Sequence, residues 1–213
     1  MSEYAGSGQV QIVLASASPA RLALLRASGV DPLVIASGVR ESDVTGTAGE
    51  ISLTLARRKA DAVAGELDGH LEGRAIIVAA DSVLEHDGAV YGKPADAEDA
   101  RQLWHRLRGT TGVLHTGHCV IDTANGRTLV EPANTVVHFA KVTDEEIDMY
   151  IATGEPMRVA GAFTLDGLGA PFLERVEGDP KTVIGLSLPL LRRMLAELGI
   201  TWTDLWRPWM QPS

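Results

Sequence analysis

Short apolar runs alternate with amphipathic stretches along the chain, and the alternation predicts a mixed α/β protein. Val10-Gln11-Ile12-Val13-Leu14-Ala15 has the length and composition of a strand. It runs into Ser18-Pro19, a matched N-cap and first-turn pair for a helix through Leu24-Leu25 that stops at Gly29. A second strand is predicted near Leu33-Val34-Ile35. A second helix follows, because Leu53, Ala56, Ala60, Val63, Ala64 and Leu67 fall on one stripe at helical spacing. The run Ile76-Ile77-Val78-Ala79-Ala80 reads as a strand buried on both faces and ending at Asp81. Asp87-Gly88 then supplies a hairpin turn between Val83-Leu84 and Val90-Tyr91. Residues 96–107 read as a helix, and 113–122 and 128–139 as two longer strands paired antiparallel through Ala124-Asn125-Gly126. Thr143-Asp144-Glu145-Glu146 has the form of a capping box for a helix to Thr153. Glycine-rich loops from Gly154 to Gly169 lead to a final strand and helix, and Trp202, Trp206 and Trp209 fall in a tail that docking would bury.

Composition narrows the classes. With 213 residues and 45% hydrophobic content, the chain can bury a substantial core, as one domain or one domain with a subsidiary lobe. No apolar stretch reaches the roughly 18–20 residues of a membrane span. Met1-Ser2-Glu3-Tyr4 lacks the order of a signal peptide, so a soluble cytoplasmic protein is expected, with no membrane partner. A net charge of −9, with no basic block longer than Arg57-Arg58-Lys59, argues against binding a nucleic acid polymer. A small anion held by a few local cations remains compatible. Cys119, the single cysteine, excludes an internal disulfide and a multi-cysteine metal site, and reads as a small buried hydrophobe. His115 and His118, three apart on a predicted strand, face opposite sides, which argues against a zinc cluster with Cys119. Neither a Walker pattern nor a Gly-x-Ser-x-Gly elbow occurs.

Asp81 carries the sharpest chemical signal, since an ionised carboxylate inside an apolar run is costly without a partner. An Asp-Ser turn is the structural alternative. Ser16, Ser18 and Arg21 stand where a strand runs into a helix, so free N–H groups, hydroxyls and a guanidinium could cradle an anion. Arg21 on a solvated face is the plainer reading. Glu41 leaves a predicted strand on a loop where it can share a divalent ion with Asp81. Lys59 and Lys93 could add positive charge for a polyphosphate, although Lys59 follows two arginines on what is usually a solvated face and Lys93 could be an ordinary turn lysine.

Taken in order, Ala15-Ser16-Ala17-Ser18-Pro19 with Arg21, Glu41, Lys59-Ala60, Ala80-Asp81-Ser82-Val83, Gly92-Lys93-Pro94, Gly154-Glu155-Pro156, Ala160-Gly161-Ala162-Phe163, Gly178-Asp179 and Val183-Ile184-Gly185-Leu186 resemble the motifs of the Maf family of nucleoside triphosphate pyrophosphatases. The resemblance covers about residues 10–198. It implies a mixed sheet flanked by helices, with two lobes around a central cleft, in an architecture like that of inosine triphosphate pyrophosphatases. It implies tail segments at 1–9 and 201–213 around one domain over 10–200, often assembled as a homodimer. The implied reaction is hydrolysis of a nucleoside triphosphate to monophosphate and pyrophosphate with a divalent cation, Mg²⁺ or Mn²⁺. Nucleotide housekeeping, with a link to division arrest, is the implied role, and a nucleotide-binding regulator with little catalysis is the alternative. By motif, Asp81 would activate water, Glu41 would bind metal with it, and Ser16, Ser18, Arg21, Lys59 and Lys93 would hold phosphates. Ala20, Ser82 and Asp166 replace the arginine, threonine and glutamine of the pyrimidine-selective branch, and Val159 and Phe163 also depart from many members, so selectivity for dTTP and UTP does not carry over. Ser187 replaces the usual proline before the last helix, a change expected to shift only a helix start.

Overall fold

Ile12, Val13 and Leu14 are all buried, which sets β1 (Gln11–Leu14) inside the sheet rather than at its rim. The fold was obtained as a computed structural model that describes residues 10–67 and 73–206. Tail residues 1–9 and Trp209 therefore lie outside the described residues. Seven strands form one sheet in the order β2 (Leu33–Val34), β1, β3 (Ala75–His86), β5 (Thr111–Asp122), β6 (Thr128–Phe139) and β7 (Leu173–Glu177). β4 (Ala89–Tyr91) pairs back onto β3 through the hairpin at Asp87-Gly88. β1 runs parallel to β2 and β3, and the remaining pairings are antiparallel.

β3 does not end at Asp81 but runs straight through it. Ala75 to Val78 pair with β1, Leu84 to His86 pair with β4, and β5 lines the opposite edge from Ile76 to Glu85. On the shared edge, residues 79–83 fall where one neighbour has ended and the next has not begun. Asp81 stands in the middle of that gap, the kind of place where an α/β sheet opens a ligand crevice. The apolar pattern could not reveal it, because the run stays apolar while the hydrogen-bonding partner changes.

The helices are α1 (Pro19–Ala27), α2 (Ala48–Leu67), α3 (Ala97–Leu107), α4 (Asp144–Ala152), α5 (Pro180–Ile184) and α6 (Leu188–Glu197). Alternation along β3 divides their work. Ile76, Val78 and Ala80 pack with Leu24 and Leu25 of α1 and Leu191 and Met194 of α6. Ile77 and Ala79 pack with Ala56, Ala60 and Val63 of α2, beside a buried Cys119. At the far end of the sheet a third cluster gathers around Trp104, which meets Phe139, Tyr150 and Phe172 edge to face and donates its indole N–H to Ala162 O at 2.8 Å. The capping box of Thr143 and Glu146 forms and opens α4. Instead of one final helix, α5 and α6 follow β7. Trp202 and Leu205 pack against the α1–α6 cluster, while Trp206 stays exposed.

Candidate active site

Lys59 is the first surprise of the cleft. It lies three residues after Ala56 and four before Val63, so helix geometry turns it inward despite Arg57 and Arg58, and it is buried rather than solvated. Its Nζ meets Asp81 Oδ1 at 2.5 Å and Glu41 Oε1 at 2.6 Å. Only 9% of the Asp81 side chain and 11% of the Lys59 side chain is exposed, against 51% for Glu41. Burial pushes the Asp81 carboxyl above its usual range, and the attraction of Lys59 and Arg21 opposes that without cancelling it. For Glu41, burial acts upward too, but the hydrogen bond and charge of Lys59 outweigh it and hold the carboxyl low, with help from Lys93 and Arg21. Gly117 makes the encounter geometrically possible. It sits opposite Asp81 in register, and a Cβ there would lie 2.3 Å from the backbone oxygen of Ser52. A bare backbone at this point lets α2 rest directly on β5.

Arg21 approaches from the other face of the sheet and is held by neutral oxygens alone. Its guanidinium donates to Gly185 O at 2.7 Å, Ser16 Oγ at 3.1 Å and Ser82 Oγ at 3.4 Å. Gly185, at φ +118°, lies so close that a Cβ would sit 3.0 Å from Arg21 Nε. Burial lowers the pKa of Arg21, while the charges of Asp81 and Glu41 raise it. Among the described residues Arg21 makes no ion pair. Ser16 Oγ accepts also from Ser18 N at 3.2 Å, and Ser18 Oγ caps α1 by accepting from Arg21 N at 3.4 Å. Both hydroxyls thus use their oxygens inside the protein and keep a proton to donate.

The structure brings Ser16, Ser18, Arg21, Glu41, Lys59, Asp81 and Ser82 together at the β3 gap. Lys93 is exposed just after β4 and close enough to act on Glu41 electrostatically. Ala20 is half-buried in the first turn of α1, and Asp166 is exposed on the loop after Phe163. That loop is organised by Glu155, a motif residue with no role assigned from sequence: it accepts from Tyr150 Oη, Thr164 Oγ1, Leu168 N and Gly169 N, all within 3.1 Å. Sequence reasoning also missed Thr116, whose hydroxyl bonds Ser82 Oγ at 2.9 Å, and His118, whose ring accepts from Ser187 N at 2.9 Å. Ser187 does more than move a helix start, since its Oγ also bonds Asp179 at 2.7 Å and its side chain caps α6. His115 and His118 lie on opposite faces, against α2 and the α5–α6 turn respectively.

A buried carboxylate of raised proton affinity beside buried cations, at a gap in a mixed sheet, is an arrangement that an α/β enzyme can use to receive an anionic substrate. The chain belongs to the Maf-like protein family, which matches residues 11–198. It is 56% identical over 202 residues to a nucleoside triphosphate pyrophosphatase of Salinispora tropica, covering 94% of this chain and 89% of that protein. It is 54% identical over 199 residues to a nucleoside triphosphate pyrophosphatase of Streptomyces coelicolor, covering 93% and 95%. Among solved structures, the Staphylococcus aureus Ham1 protein overlays 89% of this chain and 98% of its own at 16% identity with a TM-score of 0.42, a likeness too loose to bear on function.

Proposed function

We propose that this protein hydrolyses nucleoside triphosphates between the α and β phosphates, releasing a nucleoside monophosphate and pyrophosphate. The observation that carries the reading is Arg21, a buried guanidinium whose contacts are all neutral, set beside the buried Asp81. Asp81 and Glu41 act on this buried cation only at longer range, so it can bond an anion from outside the chain directly. A polyphosphate supplies it, and relatives more than half identical over most of the chain carry the matching name.

In this mechanism Asp81 takes the proton from the attacking water, and its raised pKa makes it a stronger base than an exposed carboxylate. Ser16 and Ser18 donate their hydroxyl protons to phosphate oxygens, and Arg21, Lys59 and Lys93 balance charge developing on the leaving pyrophosphate. A divalent cation, Mg²⁺ or Mn²⁺, fits Glu41 and Asp81, because their hard oxygens converge within 2.6 Å of one point now filled by the Lys59 ammonium. Among the described residues no group of three or more His, Cys, Asp or Glu side chains is placed to hold a metal ion, so Glu41 and Asp81 would be its protein ligands. When bound, the cation polarises the phosphoryl group and neutralises its charge. Lys59, with Arg21 acting from further off, offsets the two carboxylates until the substrate enters.

Residues 10–200 act as one domain whose two lobes share β3, β5 and β6, working as a homodimer that sedimentation can test. No helix among the described residues is long and apolar enough to cross a membrane. With Ala20, Ser82 and Asp166 at the specificity positions, dTTP and UTP are not singled out; a turnover strongly favouring those two would overturn this part. Product analysis with a panel of nucleoside triphosphates, with Mg²⁺, with Mn²⁺ and with chelator, tests the whole. Monophosphate and pyrophosphate formed only with metal are expected, whereas diphosphate and inorganic phosphate would sink the assignment.

A further inference from the structure

We propose that His118, a neutral imidazole buried under the turn between α5 and α6, is a positioning residue that fixes Arg21 in the orientation from which it takes up substrate phosphate. The inference rests on the pyrophosphatase reading and adds to it a residue that never touches substrate.

His118 Nδ1 faces the carbonyl of Thr116 at 3.1 Å, so it carries the proton, and Nε2 accepts from Ser187 N at 2.9 Å. Only the neutral, Nδ1-protonated ring satisfies both partners. Burial and the nearby charge of Arg21 lower the pKa of His118 to about 4, so this form prevails at neutral pH. Ser187 in turn donates from Oγ to Asp179 Oδ2 at 2.7 Å, closing the segment from Asp179 to Ser187 into a strap. Gly185, two residues before Ser187, gives its carbonyl to Arg21 Nε in the shortest bond the guanidinium makes. A second tie runs from the same strand, through Thr116 Oγ1 to Ser82 Oγ and to the carbonyl of Thr182. Two of the three acceptors of Arg21 are thus braced by β5, through His118 and Thr116.

The pairing also explains the serine at 187. A proline there has no N–H to donate, so His118 Nε2 would be left buried without a partner. Serine supplies the donor, the N-cap for α6 and the bond to Asp179 at once. Histidine at 118 and a residue with an N–H at 187 therefore form one device.

A double-mutant cycle on pyrophosphate binding separates positioning from mere support. Calorimetry with inorganic pyrophosphate in Mg²⁺ buffer, well below each melting temperature, compares wild type, His118→Leu, Arg21→Lys and the double variant. His118→Leu is expected to weaken binding about tenfold, the size of one charge-assisted hydrogen bond misplaced. His118→Gln, whose amide oxygen can accept from Ser187 N, should recover most of that loss. The double variant should bind no more weakly than Arg21→Lys alone. If His118→Leu fails to fold, His118→Asn, too short to reach Ser187, takes its place. Unchanged pyrophosphate affinity despite a lower melting temperature, or strictly additive losses in the double variant, would overturn the inference. No pyrophosphate binding even by wild type would overturn the pyrophosphatase reading itself and this inference with it.

Discussion

Lys59 and Arg21 are both cations buried beside the cleft, yet Lys59 is clasped by two carboxylates whereas Arg21 donates only to hydroxyl and carbonyl oxygens. The clasp sets one ammonium against two carboxylates, with Arg21 acting on both from further off. Under the proposed reading its members exchange partners when another cation or an anion enters, because they meet through a single shared ammonium. The Arg21 cage is fixed in geometry and holds no carboxylate, so under the proposed reading it can take up an anion without moving. One half of the site is adaptable and the other preset, a division suited to a reaction in which a bound polyphosphate must stay still while a proton moves.

Asp81→Asn breaks the adaptable half most severely. Turnover is expected to fall about 10³-fold, the scale of a general base, with the melting temperature close to wild type. Substantial retained activity would place the base elsewhere. Lys59→Met removes the shared cation and leaves a buried carboxylate uncompensated, a loss of about 3 kcal/mol in denaturant unfolding. Added Mg²⁺ should raise the melting temperature of this variant more than that of wild type, and equal shifts would count against cation exchange at the clasp.

The preset half has a pH signature. His118 titrates near 6.5 when unfolded and at about 4 when folded, so the unfolded chain binds more protons between those values. Its contribution is whole above pH 6.5 and lost as pH falls to about 4, amounting to about 3 kcal/mol. Thermal unfolding from pH 7 to 4 should therefore decline more steeply for wild type than for His118→Gln; parallel curves would contradict the neutral buried ring. The smallest effect is expected from Gly117→Ala, about 2 kcal/mol of overpacking against the Ser52 backbone. Because it lifts α2 and Lys59 but not α1, turnover should drop by a larger factor than pyrophosphate affinity. Equal losses in both would erase the distinction between the halves.

Much of this arrangement can be read from residues alone. Ser18 at an N-cap, the Thr143 capping box, the Asp87-Gly88 hairpin and the paired strands to either side of Asn125-Gly126 are local signals, and local signals survive folding. Asp81 stood out because a carboxylate in an apolar run conflicts with its surroundings. Lys59 was obscured by its neighbours: the helical period places it on the inward stripe with Ala56 and Val63, but a run of three basic residues suggests solvent. The mid-strand position of Asp81 depends on β1 and β4 dividing one edge of β3, a fact of pairing across distant segments. Likewise, nothing local joins His118 to Ser187 across 69 positions.

β3, β5 and β6 each run from one end of the sheet to the other: Val78 and Leu84, or Val120 and Leu114, belong to the same strand but to different apolar clusters. Neither end of the sheet is therefore built from one continuous piece of the chain. A recombination that exchanged one end for that of another protein would sever three strands at once.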